Sequence, residues 1–229
     1  RRFLACVLLA AAYAPSLGGL ATPVGTAPNL IGLRLLEEVT GHRPSFAAWC
    51  VAFAPLAIAA VVMATMWLRF RSGAGRGLPP LPAGLIEPLR RPWSRAERTL
   101  LPLYVAIVLL WIGPGLASGI GFGYVPWVVV LASTALAVAM SEMTSNTASA
   151  ALVVPVVLAL AQVAGVDPVK PALAATLGCS FGFMLPISTP PNALVYATGR
   201  VRMRTMIGNG MLLDAVGVLL VAIWVTFVY

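Results

Sequence analysis

Four long stretches of this chain carry no charge: Phe3 to Leu33, Ser45 to Leu68, Thr99 to Ser141 and Pro171 to Gly199. A helix that crosses a bilayer needs about 20 apolar residues, and each stretch is at least that long. Composition agrees. Of 229 residues, 60% are hydrophobic and 10% charged, with a mean hydropathy of +0.93; a soluble domain carries about a quarter charged residues. The chain reads as an all-α, polytopic integral membrane protein.

The formal charge of +8 does not point to nucleic acid, because the basic residues are clustered beside apolar runs. Seven arginines lie between Arg69 and Arg98 and three more between Arg200 and Arg204. Placing Arg1 and Arg2 on the cytoplasmic face puts 12 of the 15 basic residues inside and leaves Arg34, Arg43 and Lys170 outside. That asymmetry is the positive-inside pattern of a multi-pass protein. The three cysteines (Cys6, Cys50, Cys179) lie in apolar segments without metal-ligand spacing, so they read as packing residues. His42 sits in a polar connection. Arg1 and Arg2 run straight into an apolar segment, which is not the layout of a cleaved signal peptide.

The spans follow from these runs. A first broken helix covers residues 1–38, helical from Phe3 to about Leu17, interrupted over Gly18 to Asn29, then resuming. Residues 46–70 form a second span. A basic, Pro/Gly-rich cytoplasmic loop occupies 71–97, and a third span covers 99–116. Residues 126–162 read as a helical hairpin with its tip at Thr144–Thr147. A second broken helix covers 171–199, interrupted near Pro186–Asn192, and a last span covers 205–229. The first hairpin arm, Pro126 to Glu142, is about 26 Å long at 1.5 Å per residue, short of a roughly 30 Å hydrocarbon core. It ends in a glutamate and a polar tip, so a re-entrant hairpin stopping at mid-membrane is the expected form.

The two interruptions match. One reads Gly25-Thr26-Ala27-Pro28-Asn29-Leu30-Ile31 and the other Ser188-Thr189-Pro190-Pro191-Asn192-Ala193-Leu194-Val195. Aligned on threonine they lie 163 residues apart, and the topology above runs them in opposite directions. Corresponding broken helices of opposite polarity mark an inverted-repeat transporter with its site at the repeat interface. Proline removes a backbone donor and frees a carbonyl. In hydrocarbon such groups cannot stay unsatisfied, so broken backbone must line a cavity or bind something. The tip Ser145-Asn146-Thr147 adds a helix end and a helix start, where carbonyls suit a cation and amides suit an anion. Neither break nor the tip contains Lys or Arg. A dianion brought there meets only dipoles, hydroxyls and amides, so co-bound cations are the expected compensation, and sodium coupling follows. Glu142 reads chiefly as a residue holding the hairpin through local hydrogen bonds. Asp214, an intramembrane carboxylate, lies far in sequence from the tip and the breaks.

Two stretches, Ser141-Glu142-Met143-Thr144-Ser145-Asn146-Thr147-Ala148 and Phe183-Met184-Leu185-Pro186-Ile187-Ser188-Thr189-Pro190-Pro191-Asn192, resemble the signatures of the divalent anion:sodium symporter family. Gly18 to Ile31 is similar to the matching break of that family's first repeat. The resemblance implies a multi-pass carrier of the plasma membrane, bacterial inner membrane included, that moves a di- or tricarboxylate or sulfate together with sodium. It implies a homodimer in which a transport domain (1–38, 126–162, 171–199) moves like an elevator against a scaffold (46–70, 99–116), with no enzymatic activity and no cofactor beyond the coupling ion. It also implies that Ser145, Asn146, Thr147, Thr189 and Pro190 contact substrate. One sodium site would use Ser141, Ser145, Asn146 and Ser188, and a partner site Gly25, Thr26 and Asn29. By the same spacing a first Ser-Asn-Thr tip belongs some 18 residues before Arg1, so the chain reads as a C-terminal portion. It also reads as lacking helices that family members carry between residues 116 and 126. Two other readings stay open: a non-transporting remnant or assembly subunit, and a proton-coupled or arsenite-type anion carrier. An intramembrane enzyme finds no support, because the apolar segments hold no nucleophile–base pair.

Overall fold

The computed structural model describes residues 2–41, 43–72 and 127–229. These form eight helices and, among the described residues, no strand: α1 Arg2–Gly19, α2 Ala27–Thr40, α3 Phe46–Ser72, α4 Trp127–Met143, α5 Asn146–Val163, α6 Val169–Gly178, α7 Pro190–Ala197 and α8 Met203–Phe227. The expected third span, the expected helices after it and most of the basic loop lie outside the described residues.

The helices α3, α5 and α8 are long and apolar enough to cross a membrane, and α1 and α4 are shorter apolar helices. Three of the helices contain an internal proline: Pro15 in α1, Pro55 in α3 and Pro155 in α5. In water that would cost about 3 kcal/mol each. Packed apolar helices tolerate it because neighbouring groups take up the freed carbonyls. The outward-facing side chains of these helices include Ile58, Met66, Leu160 and Phe227, the composition of a surface meant for lipid rather than water.

The core is organised around the shortest interior helix. Nine of the ten residues of α6 are buried, and it packs against α2, α4, α5 and α8. A helix apolar on all sides belongs inside a bundle. Small residues let its neighbours approach. A Cβ placed on Gly32 of α2 would overlap the Thr176 side chain of α6, so the absence of a side chain at Gly32 is what lets α2 dock there. The other layer pairs α1 with α3 and with α7, sealed by Trp49, whose ring packs on Phe53 at 4.6 Å and whose indole N–H donates to Leu20 O at 3.1 Å.

Both interruptions are present but their edges differ from expectation. The first spans residues 20–26 and the second 179–189, so Pro28-Asn29 and Pro190-Pro191-Asn192 belong to the helices that follow. The reason is proline itself. At the first helical positions its missing N–H is one of the donors a helix start leaves unused anyway, and its fixed φ suits the turn. The second break starts at Cys179, well before Pro186. The hairpin connection is likewise shorter than expected, because Asn146 already opens α5 with Ser145 as its cap.

Gly32→Val should lower the melting temperature of the detergent-solubilised full-length protein, at a cost of about 1–3 kcal/mol from overpacking. Gly18→Ala, where an added Cβ meets nothing within 4 Å, should leave it unchanged or raise it slightly; thermal unfolding of the two variants checks the pair.

Candidate functional site

A chain that leaves its helix inside an apolar bundle exposes carbonyls that need donors. In the second break the donor is Asn192, fully buried in the first turn of α7. Its Nδ2 donates to Gly182 O at 2.8 Å and to Leu185 O at 3.2 Å, reaching back ten and seven residues. In the first break Asn29 Nδ2 donates to Gly19 O at 3.0 Å and to Thr22 O at 2.9 Å, again ten and seven residues back. The preceding threonines also agree: Thr26 has φ −138°, ψ 150° and Thr189 has φ −142°, ψ 150°. The sequence likeness between the breaks is thus a likeness of hydrogen bonding. Because both hydrogens of each amide are used, its oxygen must face the other way. Asn29 Oδ1 and Asn192 Oδ1 are both buried and take no hydrogen bond from the protein, which leaves each free to act as a hard oxygen ligand.

The threonines differ in use. Thr189 Oγ1 accepts from Asn192 N at 3.3 Å and caps its own helix. Thr26 makes no such cap; its hydroxyl lies 3.1 Å from Ser180 Oγ, so the first break touches the second directly. Gly25 packs on Gly19 so closely that a Cβ at Gly25 would overlap the Gly19 backbone.

The hairpin connection closes on the same place. Ser141, buried in the last turn but one of α4, has its hydroxyl 2.8 Å from both Cys179 O and Asn146 Oδ1, and Asn146 Nδ2 reaches Ser180 O at 3.4 Å. An added Cβ at Gly182 would lie 3.0 Å from Ser141 Oγ, 3.1 Å from Ser188 Cβ and 3.3 Å from Asn146 Oδ1. Ser141, Asn146 and Ser188 therefore surround one bare stretch of backbone. Ser145 and Thr147 are exposed at the connection, with Ser145 Oγ accepting from Ala148 N at 3.2 Å. Thr189 is buried and Pro190 exposed. In the first break Gly25 is exposed, Thr26 half-buried and Asn29 buried.

Glu142 makes the connection rigid, and not through local bonds. Its Oε1 accepts from Met184 N at 2.8 Å and its Oε2 from Leu185 N at 3.0 Å and Ser188 Oγ at 3.1 Å. One carboxylate thus satisfies two backbone donors and a hydroxyl on a segment more than forty residues away, tying hairpin to break. Tyr13 of α1 braces the far side: its hydroxyl donates to Phe183 O at 2.9 Å and its ring packs on Phe183 at 4.6 Å. Sequence reasoning passed over Asn192 and Tyr13. Asn192 was legible as the partner of Asn29 in the repeated Thr-x-Pro-Asn, whereas nothing near Tyr13 in the sequence marks it.

The arrangement presents hydroxyls, amide oxygens and backbone carbonyls, and no cationic side chain of the described residues hydrogen-bonds to it. Oxygens of this kind suit an alkali cation, and helix starts at Asn146 and Pro190 suit an anion beside it.

Residues 107–229 match the family model described as the sodium:sulfate symporter transmembrane region. The chain is 23% identical to the sodium-dependent dicarboxylate transporter SdcS of Staphylococcus saprophyticus, over 99% of this chain and 59% of that protein. It is 39% identical over 98 residues to the human Na(+)/dicarboxylate cotransporter 3, covering 43% of this chain and 16% of the human protein. An uncharacterized transporter of Haemophilus influenzae is 42% identical over 96 residues, 42% of this chain and 21% of that protein. The chain therefore spans a little over half the length of SdcS and less of the other two. The SdcS match runs over 309 positions, more than the 229 residues of this chain, so that transporter carries residues with no counterpart here.

Asn192→Ala should destabilise the protein, because it strands the carbonyls of Gly182 and Leu185 at about 1–3 kcal/mol for each buried unsatisfied group. Asn192→Asp should do at least as much harm, since a carboxylate would bring acceptors against acceptors. Melting temperature and protease cleavage at the break report the effect, and unchanged values would remove the clamp from the account.

Proposed function

The chain belongs to the sodium:sulfate symporter family, and from that premise we propose that it forms part of the transport pathway of a sodium-coupled carrier for a small dianion, a dicarboxylate first. The observation that carries this reading is the meeting of two identically clamped breaks with a hairpin connection, in a bundle whose outward surface is apolar. The printed names of SdcS and of the human relative support a dicarboxylate; the family description includes sulfate, also a dianion.

In this proposal one sodium ion is held by Ser141, Asn146, Ser145 and Ser188 with backbone of the second break, and a partner ion by Gly25, Thr26 and Asn29, with Asn192 Oδ1 as the counterpart of Asn29 Oδ1. The substrate lies against Ser145, Asn146, Thr147, Thr189 and Pro190. Taking a charge through a membrane potential changes its energy by about 2.3 kcal/mol per 100 mV, and burying a dianion without an arginine costs more still. Bound sodium offsets both. Because the ion and the anion share Asn146 and Ser145, each raises the affinity for the other, and that reciprocal coupling is what symport requires. The elevator movement, the homodimer, the division into transport and scaffold parts and a bacterial inner-membrane location are proposed with it, on the strength of the family resemblance.

Uptake of a labelled dicarboxylate by the full-length protein in proteoliposomes should require sodium and fall to background in choline at fixed pH. Asn146→Ala should lower uptake at subsaturating sodium at least about tenfold, equivalent to about 1.4 kcal/mol of lost binding, while insertion and melting temperature stay near wild type. Equal uptake in sodium and choline would contradict the sodium coupling, and wild-type uptake by Asn146→Ala would contradict the site.

A further inference from the structure

A second carboxylate stands behind the second break. Asp214, three turns into α8, is 3% exposed, and neither of its oxygens receives a hydrogen bond from the protein. It interacts with Glu142, itself 3% exposed, and with the Phe183 backbone. The approach is enforced by packing: one turn earlier, a Cβ on Gly210 would overlap the backbone of Phe183 and Met184. The same two residues are held by Tyr13 and Glu142, so α8 is pressed onto the most constrained part of the break.

The bonding roles within the pair are unequal. Both oxygens of Glu142 act as acceptors, in three hydrogen bonds from Met184 N, Leu185 N and Ser188 Oγ, which is the role of a carboxylate. Asp214 has no donor to satisfy a charge. Two adjacent anions shielded from water repel, and a single shared proton removes that repulsion.

The other elements packed on α8 bring no cation to Asp214. From α6, Lys170 donates to Thr226 O at 3.1 Å, twelve residues further along α8 and so about 18 Å away along its axis. From α3, Trp224 Nε1 meets Ala52 O, and the basic residues Arg69 and Arg71 lie in the last turn of α3. From α1, Tyr13 faces both carboxyls, with its proton already given to Phe183 O.

We propose that Asp214 is a proton-binding site of this protein: a neutral carboxyl that points its proton toward Glu142 and thereby lets α8 seat on the Phe183–Met184 backbone. The site is separate from the cation ligands proposed above and does not depend on which solute is carried. Removal of the proton places two buried anions side by side and drives α8 away from the break, so the break is held firmly only while the proton is in place.

The test is infrared difference spectroscopy of the purified full-length protein in lipid, at neutral pH, in light and heavy water. The expected wild-type minus Asp214→Asn spectrum contains one carboxylic-acid C=O band that shifts on deuteration, and Asp214→Asn, which carries the same neutral shape, melts near wild type. A difference spectrum showing ionised carboxylate bands instead would overturn the proposal. So would a wild-type minus Glu142→Gln spectrum that contains the acid band while Asp214→Asn retains it, since that puts the proton on Glu142. Loss of the wild-type band on exchanging choline for sodium would also overturn it, in favour of a cation site. No transport is measured, so failure here is distinguishable from failure of the sodium-coupled reading.

Discussion

The structure turns on one requirement: backbone that leaves a helix inside an apolar bundle must still find hydrogen-bond partners. This chain meets it twice with the same device. An asparagine in the first turn of the returning helix reaches back ten and seven residues and holds two freed carbonyls with one amide. The proline pair or single proline before it opens the helix where no donor is needed. What remains unsatisfied after that, the two amide oxygens and the outward carbonyls, is a polar surface in a place where water is scarce. Binding follows from a structural solution that leaves oxygens over.

The hairpin connection is joined to this device by Glu142. A carboxylate in the last turn of α4 would normally weaken an apolar helix, yet here it accepts from two amides and a hydroxyl of the second break. Hairpin and break therefore move as one body. Thr26 and Ser180 then bring the first break into contact with that body. With α6 buried at the centre, the elements that bear the polar groups are also the best-packed part of the bundle, the condition for holding ligands in fixed geometry.

Much of this was legible in the residues. Charge-free runs of helix-spanning length located the spans, and the repeated Thr-x-Pro-Asn located both breaks, because proline and asparagine act locally. The edges of the breaks were harder to read. Whether Pro190 lies in a loop or opens a helix depends on where the preceding donors go, and those are taken by Glu142, more than forty residues away. Long-range partners have no periodicity to betray them. For the same reason Glu142 looked like a local brace, Tyr13 like packing, and Asp214 remote from the tip, when α8 in fact folds back across the break through Gly210.

The contact between the breaks is the point on which everything else rests, and it can be measured in the membrane. In full-length protein with Cys6, Cys50 and Cys179 replaced by alanine, the pair Thr26→Cys and Ser180→Cys should form a disulfide under mild oxidation, as their hydroxyls lie 3.1 Å apart. The pair Thr144→Cys and Ser149→Cys, with hydroxyls 2.7 Å apart, controls for access of the oxidant to the bundle. Cross-linking of both pairs is the predicted result; cross-linking of the control alone would show that the two breaks do not meet.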